Sequence, residues 1–89
     1  MTYETTTSLP PAEVLRQART FFATRVPATA AFPEKEGPGH VVLRGQGGEE
    51  IVFAAVANAG GSSVRGSTMM FGQQVSRFFT TLPPARAVV

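Results

Sequence analysis

Apolar residues along this chain recur with two different spacings, and the change of period marks out the elements. Val14, Leu15, Ala18, Phe21 and Phe22 repeat at i, i+3/4 and i+7/8, the spacing of one face of an amphipathic helix. Arg16, Gln17, Arg19 and Thr20 fall on the opposite side. Proline is tolerated in a first helical turn, and Glu13 there suits the positive end of the dipole. The pattern predicts a helix from about Pro11 to Thr24, closed by Pro27. Val75, Phe78, Phe79 and Leu82 repeat the helical spacing near the other end. They predict a second helix over about Gly72 to Leu82, ended by Pro83 and Pro84.

The remaining segments have the period of strands. "TYETTTS" (2–8) is rich in β-branched residues and alternates, as a first strand does. "ATAAFPEKEGPG" (28–39) reads as a short strand and then a charged turn, with Pro33 and Pro38 suggesting a sheet edge. "HVVLR" (40–44), "EIVFAAVAN" (50–58) and "SVRGSTMMF" (63–71) are three further strands, the last two joined by the hairpin loop "NAGGS" (58–62). The expected fold is α+β: an antiparallel sheet of about five strands in the order β-α-β-β-β-β-α, with two helices on one face. Residues 1–84 form the expected domain, and 85–89 a flexible tail. "FFATRVP" (21–27) and "FFTTLPP" (78–84) echo each other, an echo read as coincidence.

The glycines of "GQGG" (45–48) raise the question of a phosphate loop. Such a loop needs a helix directly after the glycines, so that backbone N–H groups converge on the anion. Here the glycines lead into the apolar, β-branched run "EEIVFAAVAN", a strand. Neither a Walker pattern nor G-x-G-x-x-G is present. The glycines therefore predict a hairpin turn that uses positive φ.

If Gly45 and Gly48 flank that turn, Arg44 faces Glu49 and Val42 faces Ile51. If the next loop centres on Gly60 and Gly61, Val56 faces Arg65 and Ile51 faces Met70. One sheet face would then carry Val42, Ile51, Phe53, Ala55, Val64 and Met70. The other would carry Val41, Leu43, Val52, Ala54, Val56, Met69 and Phe71, with Arg65 projecting from it. Sheets with one wet face alternate cleanly, and in this register neither face is wet. Two helices cover only one, and an exposed apolar sheet marks an interface. The expectation is a homodimer or higher homo-oligomer burying Val41, Leu43, Val52, Ala54, Val56, Arg65, Met69 and Phe71.

Composition strengthens the case for hidden surface. Apolar residues make up 43% of the 89 positions and charged ones 16%, against about 25% charged in ordinary domains. A chain this short buries a thin core. With no cysteine, disulfides and thiolate metal sites are excluded, and association is what remains as extra burial. The net charge of +2 is too small to imply a polyanion partner. No leader-like N-terminus and no membrane-length apolar run occur, so a soluble cytoplasmic protein is expected.

The element order, with "TYETTTSLPPAEVLRQARTFF" at the start and "GSTMMFGQQVSRFFTTL" at the end, resembles the fold shared by TATA-binding-protein repeats and the START/polyketide-cyclase (SRPBCC) helix-grip proteins. The resemblance covers nearly the whole chain in topology, in a shortened form. The first stretch is similar to the opening strand, s-x-P-x-x-V segment and helix of cyclase-like domains. The chain lacks the extra strands and long loop that roof the ligand cavity of those domains. No active-site residue of the family carries over.

Residues capable of chemistry are few. His40 is the only histidine and opens a strand after "GPG", an exposed position. A metal site built on it would need partners, and the chain has no second histidine and no aspartate. Glu34, Glu36, Glu49 and Glu50 pair at turns and read as solvated. No catalytic residue, metal site or cofactor is assigned, and the protein is read as non-enzymatic. Phe53, Met70, Val75, Phe78 and Phe79 are the expected wall of a site for a small apolar or amphipathic ligand between the C-terminal helix and the sheet. The alternatives are a nucleic-acid binder using Phe71 and Arg65, disfavoured by the low charge, and a structural subunit docking another protein.

Overall fold

A computed structural model of the chain describes residues 1–24 and 30–86. The closing proline at 27, the start of the 28–39 stretch and the last three positions of the tail lie outside the described residues. Seven elements run in order: β1 (Thr2–Thr7), α1 (Pro11–Thr24), β2 (Ala31–Gly37), β3 (His40–Gly45), β4 (Glu50–Asn58), β5 (Gly61–Thr68) and α2 (Gly72–Thr80). The strands make one antiparallel sheet in the order β1-β5-β4-β3-β2. The fold is α+β, with the element order the periodicities predict. Among the described residues no helix is long and apolar enough to cross a membrane.

Both helices pack on the same sheet face, α1 chiefly over β4, β2 and β3 and α2 over β1 and β5. The apolar stripe of α1, Val14, Leu15, Ala18, Phe21 and Phe22, is buried without exception. It meets Val41, Leu43, Ile51, Phe53, Ala55 and Val64 of the sheet and Val75 and Phe78 of α2 in one core. Phe22, Phe53 and Phe78 are fully enclosed, and each such ring contributes roughly 1.5–3 kcal/mol of burial. Gly66 makes room for this: a methyl group there would lie 2.9 Å from Val75 Cγ1 and 3.0 Å from Phe53 Cε1.

The β3–β4 register differs by one residue from the expectation. Leu43 stands opposite Ile51 and Arg44 opposite Glu50. The cause is in the turn. Gly48 N–H donates to Gly45 C=O at 3.0 Å, while Gly45 N–H donates to Glu49 C=O at 2.8 Å. Gly48 takes φ +88, the left-handed residue of a bulged hairpin loop. Glu49 is thereby absorbed into the turn, and a one-residue slip exchanges the faces of a whole strand. Val41 and Leu43 belong to the core, and Val42 faces outward.

In the β4–β5 hairpin the slip is two residues, with Val56 opposite Ser63 and Ile51 opposite Thr68. An even slip preserves the faces. β5 ends at Thr68, so Met69, Met70 and Phe71 leave the strand pattern: Met69 and Met70 are exposed and Phe71 folds into the core. The two helices and the revised register together make a sheet with one dry face and one wet face, which corrects the expectation of a doubly apolar sheet.

One further detail departs from expectation. Glu34, Lys35 and Glu36 lie within β2 rather than in a turn, and the register shifts between Pro33 and Lys35. Past α2, Thr7 Oγ1 donates to Pro83 C=O at 2.6 Å, and Arg86 N–H donates to Gly60 C=O at 3.0 Å. Ala85 and Arg86 thus take a defined path along the β4–β5 turn.

Candidate interaction surface

The sheet face away from the helices is open. Its rows are set by the register. Phe32, Arg44 and Glu50 make the first row, with Met69 just past the end of β5 beside them. Lys35, Val42, Val52, Ser67 and Thr2 make the second. His40, Ala54, Arg65 and Glu4 make the third, and Val56, Ser63 and Thr6 the fourth. An apolar stripe of Val42, Val52, Ala54 and Val56 runs down the middle strands. Val56 is 67% exposed, Phe32 51% and Met69 87%, values that leave large apolar side chains in contact with water. The sequence supplies this stripe because β4 is apolar at nearly every position, so its outward residues cannot be polar.

Charges flank the stripe, and most of them are paired. Arg44 donates through Nη2 to Glu34 Oε1 at 2.9 Å and to Glu50 Oε2 at 3.1 Å, and through Nη1 to Gly48 C=O at 2.9 Å. These bonds hold the Glu34 carboxyl below its ordinary range, chiefly through the hydrogen bonds from Arg44. Arg65 lies 3.5 Å from Glu4. Lys35, Arg44 and Arg65 are thus balanced by Glu4, Glu34 and Glu50. His40 is exposed at the start of β3, its ring lying over Gly37.

The expected interface residues divide. Val52, Ala54, Val56 and Arg65 share the open face, and Met69 joins its rim. Val41 and Leu43 are 0% exposed and Phe71 only 6%. All three are core residues, the first two because of the bulged turn and the third because β5 stops before it. Phe32 and Val42 were missed as members. The even parity of Val42 with Arg44, once Glu49 is assigned to the turn, is the signal that places them.

The expected ligand wall also divides. Phe53, Val75, Phe78 and Phe79 do come together, but they fill the space between α2 and the sheet themselves. The Phe53 and Phe78 ring centroids are 5.3 Å apart, and Phe79 lies 6.3 Å from Phe53. Met70 stands apart, 71% exposed. Concavities lie on the surface instead. One of about 310 Å³ lies on the open face among Glu4, Ala54, Val56, Ser63 and Arg65. Another of about 400 Å³ lies at its rim beside Glu50, Ser67, Met69 and Met70. Among the described residues no cluster of three His, Cys, Asp or Glu side chains is placed to hold a metal.

No family model, curated protein or solved structure matches this chain.

Proposed function

We propose that the protein is a small non-enzymatic binding module of the cytoplasm that self-associates by stacking its open sheet face on that of a second copy. The observation behind this reading is the exposed stripe Val42–Val52–Ala54–Val56, with Phe32 and Met69 beside it, on a sheet whose other face is a closed core. The balance of charge on the face fits a like partner. Lys35, Arg44 and Arg65 stand against three carboxylates, so two copies meet without net repulsion. A polyanion finds no free cationic field there, because Arg44 and Arg65 are engaged by glutamates. Burying the stripe supplies the drive, at roughly 25 cal/mol per Å² of apolar surface removed from water.

The test is the mass of the purified protein by native mass spectrometry and light scattering, for the wild type and for Val56→Glu. Val56 is exposed, so the substitution leaves the core alone. The wild type is expected at a multiple of the chain mass, and the variant at half the wild-type value or less. A wild type that stays monomeric, or a variant of unchanged mass, removes the reading.

A further inference from the structure

The two edges of the sheet are built differently. β2 carries Pro33, a register irregularity between Pro33 and Lys35, and the charges of Glu34, Lys35 and Glu36. Proline, bulges and charges are the devices that stop one sheet edge from pairing with another. β1 has neither a proline nor a bulge, and its single charge, Glu4, lies 3.5 Å from Arg65 of the neighbouring strand. Its six residues, Thr-Tyr-Glu-Thr-Thr-Thr, pair with β5 in unbroken register, with no proline and no lysine.

The hydrogen-bond parity of β1 shows which groups are free. Met1 and Thr68 exchange both bonds, the terminal amine donating to Thr68 C=O at 2.6 Å and Thr68 N–H to Met1 C=O at 2.9 Å. Bonded and non-bonded pairs alternate along an antiparallel ladder. Tyr3, Thr5 and Thr7 therefore turn their peptide groups toward β5. Thr2, Glu4 and Thr6 turn theirs outward, where among the described residues no partner meets them.

We propose that β1 pairs edge to edge with β1 of a second copy, in an antiparallel register centred on Glu4. The spacing is self-complementary: Thr2 of each chain meets Thr6 of the other, so all three outward positions are used. Facing threonines are favourable cross-strand pairs. The two Glu4 side chains meet at the symmetry axis, a like-charge contact that would oppose pairing by itself. Arg65, 3.5 Å from Glu4 in its own chain, sets a guanidinium beside each carboxylate and makes the group of four neutral. The axis stands perpendicular to the sheet, so the product is one continuous ten-stranded sheet with every helix on one side. This contact is separate from face-to-face stacking and survives its failure. With both contacts present and their two-fold axes crossing at right angles, four copies close into one assembly.

Proline separates the two. At position 6 it removes only an outward N–H, which an edge strand tolerates. Thr6→Pro is expected to keep the wild-type circular dichroism and halve the assembly mass, while Thr6→Val, which keeps the N–H, changes nothing. Glu4→Gln is expected to tighten the assembly severalfold, and Arg65→Ala to loosen it. Amide exchange on the wild type gives an answer free of any variant: Glu4 and Thr6 N–H are expected to be protected in the assembled protein. An unchanged mass for Thr6→Pro, fast exchange at Glu4 and Thr6, or a monomeric wild type each overturns the edge pairing. Val56→Glu that dissociates the assembly completely while Thr6→Pro does not would overturn it in favour of face stacking alone.

Discussion

Leu43 stands directly opposite Ile51, and both side chains are fully buried. That pairing places Val41, Leu43, Ile51 and Phe53 on the core side and leaves Val42 and Val52 outside. It depends on a turn in which Gly48 occupies φ +88 with nothing within 4 Å of where a Cβ would stand. The cost of a side chain there is backbone strain alone. Gly48→Ala is expected to lower stability by about 1 kcal/mol, and Gly48→Asn by less, because asparagine tolerates the left-handed region. Urea denaturation of the two variants checks the order. Equal losses would mean that the turn does not hold its glycine conformation.

Gly66 is a second essential glycine for an unrelated reason. It needs no special φ; it needs the volume. A methyl group at 66 presses on Val75 Cγ1 and the Phe53 ring, and overpacking of this kind costs roughly 1–3 kcal/mol. Phe78→Ala is the converse change. It empties the space against Phe21, Phe22 and Phe53, whose ring centroids lie 5.4, 6.3 and 5.3 Å from its own, and is expected to cost roughly 3–5 kcal/mol. Calorimetry on both variants should rank Phe78→Ala as the more severe.

The helices were legible from their clean period, and β4 from its unbroken apolar, β-branched run. The α1 stripe from Val14 to Phe22 and the strand character of residues 50–58 needed no tertiary information. Register was not legible, since "GQGGE" admits a flanked turn or a bulged one and only φ at Gly48 distinguishes them. That one residue moved Val41 and Leu43 from the expected interface to the core. Phe71 was misplaced because the apolar run "MMF" continues a strand pattern beyond the point where β5 stops. The open face was foreseen in kind, through Val52, Ala54, Val56 and Arg65. Its charge balance was not foreseen, because Glu34 reaches Arg44 only through the irregularity in β2.

Glu13 supplies a pH dependence on the acid side. Hydrogen bonds from Arg16 and then Gln17 lower its pKa from 4.5 to about 2. A carboxyl depressed in the folded state lends stability that is complete above its unfolded value, and that stability is lost as the pH falls toward the folded one. The contribution of this solvent-facing group is small. The melting temperature of wild type should exceed that of Glu13→Gln at neutral pH, and the gap should close between about pH 5 and pH 2. A gap that widens on acidification would contradict the sign.

Arg44 offers a way to separate association from folding. It joins Glu34, Glu50 and the Gly48 carbonyl on the open face, all partly exposed to water. Exposed ion pairs of this kind contribute about 0–1 kcal/mol to stability, so Arg44→Ala should shift the melting temperature little. Its effect on stacking is larger in kind. It leaves Glu34 and Glu50 without their shared cation, and two such faces then repel. Wild-type association, driven by the apolar stripe between neutral faces, should be nearly indifferent to ionic strength. The Arg44→Ala assembly should be weaker in dilute buffer and recover as salt is raised from about 0.05 to 0.5 M, because screening relieves the repulsion. Light scattering across that series reads both curves. A wild type that dissociates steeply with added salt would show instead that ion pairs between copies, and not Val42, Val52, Ala54 and Val56, hold the faces together.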